Sequence, residues 1–283
     1  MSNLKTQFDV YRQYCLPQHL LTDFAGLLAN CKCKRFKNWA IKRFIRKYQV
    51  NMQEALFANA EDYDSFNHFF TRQLKTDARP IAEDTRAIIS PVDGCVAQMG
   101  EAHQQQLLQA KNFYFTLESL LGGDKESAAA FADGSFATLY LAPRDYHRVH
   151  MPLNGTLDKT IYVPGDLFSV NRITSEHIPN LYSRNERLIT LYNTEIGRVA
   201  VILVGAMIVG NIQTSWSATP ARHKDLHITH MSPPLELAKA AEIGYFHLGS
   251  TVILLFEKNR LTWTPSLASG SSLKMGQVIG QIK

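Results

Sequence analysis

Residues 199–204 read Val-Ala-Val-Ile-Leu-Val, and this run leaves little choice about where it can lie. A strand with one wet face alternates apolar and polar residues, so an unbroken apolar run predicts a central strand buried on both faces. Further β-signals follow Ile88. Segments 136–141, 188–192, 198–209 and 251–256 are rich in Val, Ile, Leu and aromatics and are bounded by Gly, Pro or Asn. The tail from Ser269, SGSSLKMGQVIGQIK, alternates turn residues with short apolar pairs, as small β-structures do. A short helix is expected over 117–121, ended by Gly122-Gly123. Segment 217–236 is polar and contains prolines, and reads as a long loop. Residues 1–60 read as helical, and Pro80 closes a mixed stretch over 61–80. The expected class is α+β: a helical N-terminal segment of residues 1–60, then a mostly antiparallel β body over 61–283.

Charge divides the chain in the same way. The first fifty residues hold ten Lys and Arg against Asp9 and Asp23, a net +8; the rest hold 20 against 23 acidic residues, a net −3. A concentrated cationic stretch seeks a polyanion, and its apolar pattern selects which one. Leu20, Leu21, Phe24, Leu27 and Leu28 recur at helical spacing. A second helix, 34–48, interleaves Phe36, Trp39, Ala40, Phe44 and Tyr48 with cations. Large apolar side chains beside a basic face describe a helix lying in a membrane interface, where each cation contributes about 1 kcal/mol near anionic lipid. The alternative is a helical hairpin packed on its own body with a solvated basic face. No nucleic-acid motif or stacking array supports a nucleic-acid partner. No run of eighteen uncharged apolar residues predicts a membrane span. The N-terminus lacks a signal-peptide core, and Asp9 argues against a transit peptide. With 45 % hydrophobic and 19 % charged residues over 283 positions, a sizeable core is expected and wholesale disorder is excluded. Cys15, Cys31, Cys33 and Cys95 are too few for a disulfide scaffold, and Cys31-x-Cys33 is too close for a zinc pair; reduced thiols facing a cytosol are expected.

Three stretches set reactive groups among turn residues. Ser90-Pro91-Val92-Asp93-Gly94 places an Asp in a turn, where such residues ordinarily bond their own backbone. Tyr146-His147-Arg148-Val149-His150-Met151-Pro152 carries two histidines at a strand end or loop; they read as an acid and base pair, as two ligands lacking a third, or as satisfied surface histidines. Leu248-Gly249-Ser250-Thr251 lies directly before an apolar strand, where a flexible linker would not be. It is not a nucleophile elbow. A glycine carbonyl is sterically open, so the hydroxyl of Ser250 could attack Gly249 in a strained turn. A separate cluster, His223, His227 and His230, has helix-compatible ligand spacing among prolines; a metal site or a solvated loop both suit it, and no metal is assigned.

In this order and at these separations, the three stretches resemble the phosphatidylserine decarboxylase family, pyruvoyl enzymes of phosphatidylethanolamine synthesis. The resemblance extends through Phe69-Phe70-Thr71-Arg72-Gln73-Leu74-Lys75, Gln109-Ala110-Lys111, Leu167-Phe168-Ser169-Val170-Asn171, Asn185-Glu186-Arg187 and Val204-Gly205-Ala206. Leu-Gly-Ser-Thr is similar to the bacterial and mitochondrial form, and the absent transit peptide favours the bacterial one. Residues 217–240 depart from the family, carrying the His-rich insert in place of its usual Arg/Trp-containing run.

The resemblance implies a proenzyme that makes its own cofactor. Ser250 attacks the Gly249 carbonyl, elimination divides the protein into chains 1–249 and 250–283, and the new N-terminus becomes a pyruvoyl group. It implies His150 as base and Asp93 as its orienter, a Ser-His-Asp set used for self-cleavage. The ketone then forms a Schiff base with the serine headgroup amine and takes up electrons as CO2 leaves. His147 is the candidate proton donor, with a pKa near neutrality suiting that task. Oxyanion-hole donors are not identifiable. The implied partner is phosphatidylserine in an anionic membrane, at the cytoplasmic face of the bacterial inner membrane, and a homodimer is compatible with such a body. Two competing readings stand beside this one: a lipid-surface binding protein that never matures, and a serine hydrolase whose Ser250 survives unmodified.

Overall fold

The computed structural model describes residues 2–110, 113–207, 212–217, 221, 223–247 and 250–283. Three helices open the chain: α1 (Ser2–Cys15), α2 (Gln18–Ala29) and α3 (Lys34–Tyr48). A 3-10 turn (Ala60–Asp62) and α4 (Phe66–Phe70) lead into β1 (Ala87–Ile89) and β2 (Gly94–Glu101). The hairpin β3 (Gln106–Ala110) and β4 (Phe113–Thr116) is followed by α5 (Leu117–Leu120) and α6 (Lys125–Ala130). Then come β5 (Ser135–Leu141), β6 (Arg148–His150), β7 (Gly155–Val163), α7 (Arg172–His177), α8 (Leu181–Arg184), β8 (Arg187–Thr194) and β9 (Gly197–Val204). The chain closes through β10 (Ile212–Thr214), β11 (His227–Leu237), β12 (Glu242–Phe246), β13 (Ser250–Phe256), β14 (Leu261–Trp263), β15 (Ser272–Leu273) and β16 (Val278–Ile282).

Eight strands make the main sheet in the order β11-β7-β8-β9-β13-β5-β2-β15, antiparallel at every pairing. The run 199–204 is β9, fourth in that order, and each of its six residues is fully buried. Its neighbour β13 is equally apolar and sits between β9 and β5. Burying each such side chain is worth about 2 kcal/mol, so these two strands anchor the fold. Two three-stranded sheets, β1-β16-β14 and β10-β12-β6, pack beside it. The expected short helix is α5, stopped where Gly122 and Gly123 take φ of +71° and +87°. All four cysteines are free thiols.

The loop expected over 217–236 is corrected: its second half is β11, which pairs with β7 from His227 against Tyr162 to Leu237 against Gly155. β11 is an edge strand with an almost wholly exposed surface, so it lacks the apolar alternation that marks a strand. Its prolines, Pro233 and Pro234, fall in the register break between His230 and Leu235, where a missing N–H costs little. Helix also ends earlier than residue 60. Gln49, at φ +54°, terminates α3, and the chain to Asn59 contains no further helix. A small core of Ile41, Val50, Ala60, Tyr63 and Phe69, with Phe44 packed on it, ties α3 to the 50–70 segment across position 60. Positions 208 and 209 of the expected 198–209 segment lie outside the described residues.

The N-terminal helices dock through polar groups. The Leu167 N–H donates to Gln18 Oε1 at 2.6 Å and the Ser169 N–H to Gln13 Oε1 at 3.1 Å. On α2, Thr22 and Ala29 are buried, whereas Leu20, Phe24 and Leu27 are 70 %, 61 % and 74 % exposed. Phe8, Tyr11 and Tyr14 of α1 and Trp39 of α3 are exposed as well. The second helix thus turns its apolar face outward. No described helix is long and apolar enough to cross a membrane.

Candidate active site

The turn before β2 is clamped from three sides. The Ser90 N–H donates to the Gln277 carbonyl at 2.7 Å, the Gly276 N–H donates to the Ser90 carbonyl at 3.0 Å, and the Ser90 hydroxyl donates to the Val92 carbonyl. Gly94 is required here because a Cβ would sit 2.2 Å from the Tyr140 carbonyl oxygen of β5. The clamp buries Asp93. Arg79 donates to both Asp93 oxygens, through Nε at 2.9 Å and Nη2 at 2.5 Å. The Met275 N–H adds a bond at 2.9 Å and Lys274 Nζ one at 3.3 Å. Burial works to raise the Asp93 carboxyl, but the Arg79 and Met275 bonds and the charges of Arg79 and Lys274 overcome it and hold it below the usual carboxylate range.

β6 lies against this turn, its His150 N–H donating to the Pro91 carbonyl at 2.9 Å. Arg148 fixes β6 to its neighbour β12 through Glu242, at 2.7 and 3.0 Å, and its guanidinium lies over the Tyr245 ring. Both histidines are buried, and each donates Nδ1–H to a carbonyl at 2.8 Å: His147 to Asp145, His150 to Ala240. A carbonyl only accepts, so the lone pair of each neutral ring is on Nε2. Ala240 sits at φ +68°, a conformation an alanine rarely takes, and it is this strained residue that orients His150. The Tyr146 hydroxyl donates to His150 Nε2 at 3.0 Å, and the two rings stack with centroids 5.6 Å apart.

The two histidines differ in what surrounds Nε2. That of His147 is buried without a hydrogen-bond partner among the described residues, its ring centroid 4.1 Å from that of Phe70. Burial, followed by the charge of Arg72, lowers its pKa to about 3. The expected near-neutral pKa is therefore corrected: the resting ring is a neutral acceptor. Burial also lowers His150, against the pull of the Ala240 carbonyl and the Glu242 charge. Arg72 is itself buried over the Phe69 ring; its Nη2 donates to the Arg144 and Asp145 carbonyls, while its Nε and Nη1 have no hydrogen-bond partner among the described residues. A cavity of about 380 Å³ opens here, lined by Arg72, Arg79, Asp93, Tyr146 and Lys274 among others.

The third stretch arrives along β12. The Phe246 N–H donates to the His147 carbonyl at 3.1 Å, and four residues later the chain enters the main sheet at Ser250, paired with Leu141 of β5. Gly249, the other half of the expected cleavage site, lies with Leu248 outside the described residues. β6 thus sets His150 against the Asp93 turn, while the start of β13 pairs with β5, the strand beside β2. Asp93 and His150 do not bond to each other; the Ala240 carbonyl, rather than the carboxylate, orients the imidazole. Arg79, Lys274 and Ala240 carry no sequence signal, being 14, 181 and 90 residues from the groups they bind. Arg72 and Tyr146 stand inside the recognised stretches but were assigned no role there. His223 and His227 stack at 4.0 Å, and no three His, Cys, Asp or Glu side chains form a metal-ligating group among the described residues.

A family model described as phosphatidylserine decarboxylase matches residues 66–281, and a second, described as PSD, matches residues 8–49. The phosphatidylserine decarboxylase proenzyme of Azotobacter vinelandii is 51 % identical over 98 % of this chain and 99 % of its own length. That of Pseudomonas putida strain GB-1 is 48 % identical, with 98 % and 99 % covered, and that of Bordetella petrii is 45 % identical, with 97 % of each covered. Model and relatives span the helices, the sheet and all three reactive stretches, so the chain belongs to the phosphatidylserine decarboxylase family and is an enzyme of the decarboxylase class.

Proposed function

We propose that this chain is a proenzyme that splits itself between Gly249 and Ser250, and that the mature protein converts phosphatidylserine to phosphatidylethanolamine and CO2. The observation that carries this reading is that β6, which bears His150 and follows His147, lies against the Asp93 turn and pairs with β12, the strand that leads to Ser250. The proenzyme names of the relatives support it. In self-cleavage, His150 is the base, since its Nε2 bears a lone pair and burial keeps the ring neutral. Asp93 holds Arg79 and Lys274 at the cavity wall and keeps their charge balanced.

The described residues suit a pyruvoyl group formed from Ser250. A buried lone pair on His147 Nε2 and unpaired donors on Arg72 have no structural use as they stand. The group supplies a ketone that condenses with the substrate amine and accepts the electrons of the breaking carbon–carbon bond. At the cavity wall, Arg72 offers positive charge to an anionic headgroup. His147 would take at Nε2 the proton that the headgroup ammonium gives up and would return it to the substrate carbon after CO2 leaves. The outward apolar face of α2, beside the basic α3, lets the enzyme rest on an anionic leaflet, at the cytoplasmic face of a bacterial inner membrane in this reading.

Denaturing intact-mass measurement of the purified protein, with and without borohydride, tests the reading. Two chains breaking at Gly249–Ser250, the shorter with a reducible carbonyl at its N-terminus, are expected. One unmodified chain that leaves phosphatidylserine vesicles unchanged would sink it.

A further inference from the structure

His150 is assigned above as the base of self-cleavage, yet the lone pair it needs is in use. Its Nδ1 proton is committed to the Ala240 carbonyl, so Nε2 is the only free acceptor position on the ring, and the Tyr146 hydroxyl donates to it at 3.0 Å. The phenol has no freedom to leave easily. Tyr146 is buried, its ring stacks on the imidazole, and the Asp145-to-Ala142 and Phe246-to-His147 backbone bonds pin the chain on either side. Tyr146 also lines the cavity with Asp93, Lys274 and Ala142, the last of them next to Leu141, which pairs with Ser250. The charged groups facing the pair are Arg148, Glu242, Asp93 and Arg79.

We propose that the base of self-cleavage is the Tyr146–His150 pair acting as a relay, with the phenol passing a proton to the imidazole; this rests on the reading that the chain splits itself at Ser250. The step balances. As the serine oxygen bonds to the Gly249 carbonyl carbon, its O–H bond breaks and the proton goes to the Tyr146 oxygen. The phenol's own O–H bond breaks, and that proton goes to Nε2. Tyr146 is neutral before and after, His150 becomes imidazolium, and the negative charge moves to the former carbonyl oxygen. The imidazolium proton is then available for the departing amide nitrogen. Burial raises the phenol well above its ordinary range, so the O–H is present at every working pH and no free phenolate forms.

The test follows disappearance of the full 283-residue chain after cell-free synthesis, on denaturing gels, for wild type, Tyr146→Phe and Ser250→Ala. With the relay removed, Tyr146→Phe is expected to split about 10²-fold more slowly, the scale of one lost acid–base contact. If the phenol is only a structural cap, Tyr146→Phe frees Nε2 and splits at the wild-type rate or faster, which overturns the relay alone. Splitting of Ser250→Ala overturns the reading beneath it and the relay together. The wild-type rate in mixtures of light and heavy water gives a decision that needs no variant to fold. Two protons in flight give a curved dependence on deuterium fraction, and a straight line overturns the relay.

Discussion

His147 is the residue whose protonation most affects the whole chain. The buried ring has a folded pKa of about 3 against an ordinary value of 6.5, so the unfolded chain takes up its proton first on acidification. The stability tied to its neutral form is full above about pH 6.5 and is lost as pH falls from there toward 3, at up to about 1.4 kcal/mol per pH unit. In a Ser250→Ala background, which keeps one chain, urea midpoints at pH 7, 6 and 5 are expected to fall less steeply when His147→Gln is added. Equal slopes would mean that the folded ring takes up its proton over the same pH range as the unfolded one. On the wild-type background His147→Gln is expected to split normally and decarboxylate poorly; failure to split would exchange the roles of the two histidines. The histidines and Asp93 were legible in the sequence because each sits in a short stretch of turn and strand signals. Their partners were not. Ala240 acts through a carbonyl, a group every residue has, and Lys274 reaches Asp93 across 181 residues, a distance that no local pattern encodes.

At the scale of elements, α2 is built against the usual rule. Its buried contacts are Thr22, Ala29 and the Gln18 carboxamide, while Leu20, Phe24 and Leu27 face out. Such a face suits an apolar cover, and in the proposed reading the basic α3 that follows it favours an anionic leaflet. The triple change Leu20→Ser, Phe24→Ser, Leu27→Ser is expected to leave the melting temperature within about 3 °C, since the side chains are exposed. It is also expected to weaken sedimentation with phosphatidylserine vesicles at least tenfold. Unchanged sedimentation would remove α2 from the membrane contact. The helical spacing of these leucines, the extent of α3 and the central position of β9 were all readable, because one-face and two-face burial leave different periodicities. β11 was not, because an edge strand exposed on both sides has no burial period to read, and its two prolines argue for a loop until the register break is seen.

For the whole molecule, the proposed cleavage falls directly before a strand that is woven into the main sheet. Residues 250–283 do not form a lobe. β13 lies between β5 and β9, β15 pairs with β2, and β16 runs between β1 and β14. The five apolar side chains from Val252 to Phe256 are buried among strands that precede the break. At about 2 kcal/mol each they contribute on the order of 10 kcal/mol to holding the two pieces together, before the other strands are considered. The site has the same construction: Lys274 and the Met275 N–H, from the short piece, bind Asp93 of the long one. The split protein is therefore expected to elute as a single species in native size exclusion, with both chains present in equal amounts, and to come apart only in denaturant through one shared transition. A short chain eluting alone under native conditions would mean that β13 is not seated in the mature sheet as it is here, and that Asp93 must find partners other than Lys274 and Met275 to balance Arg79.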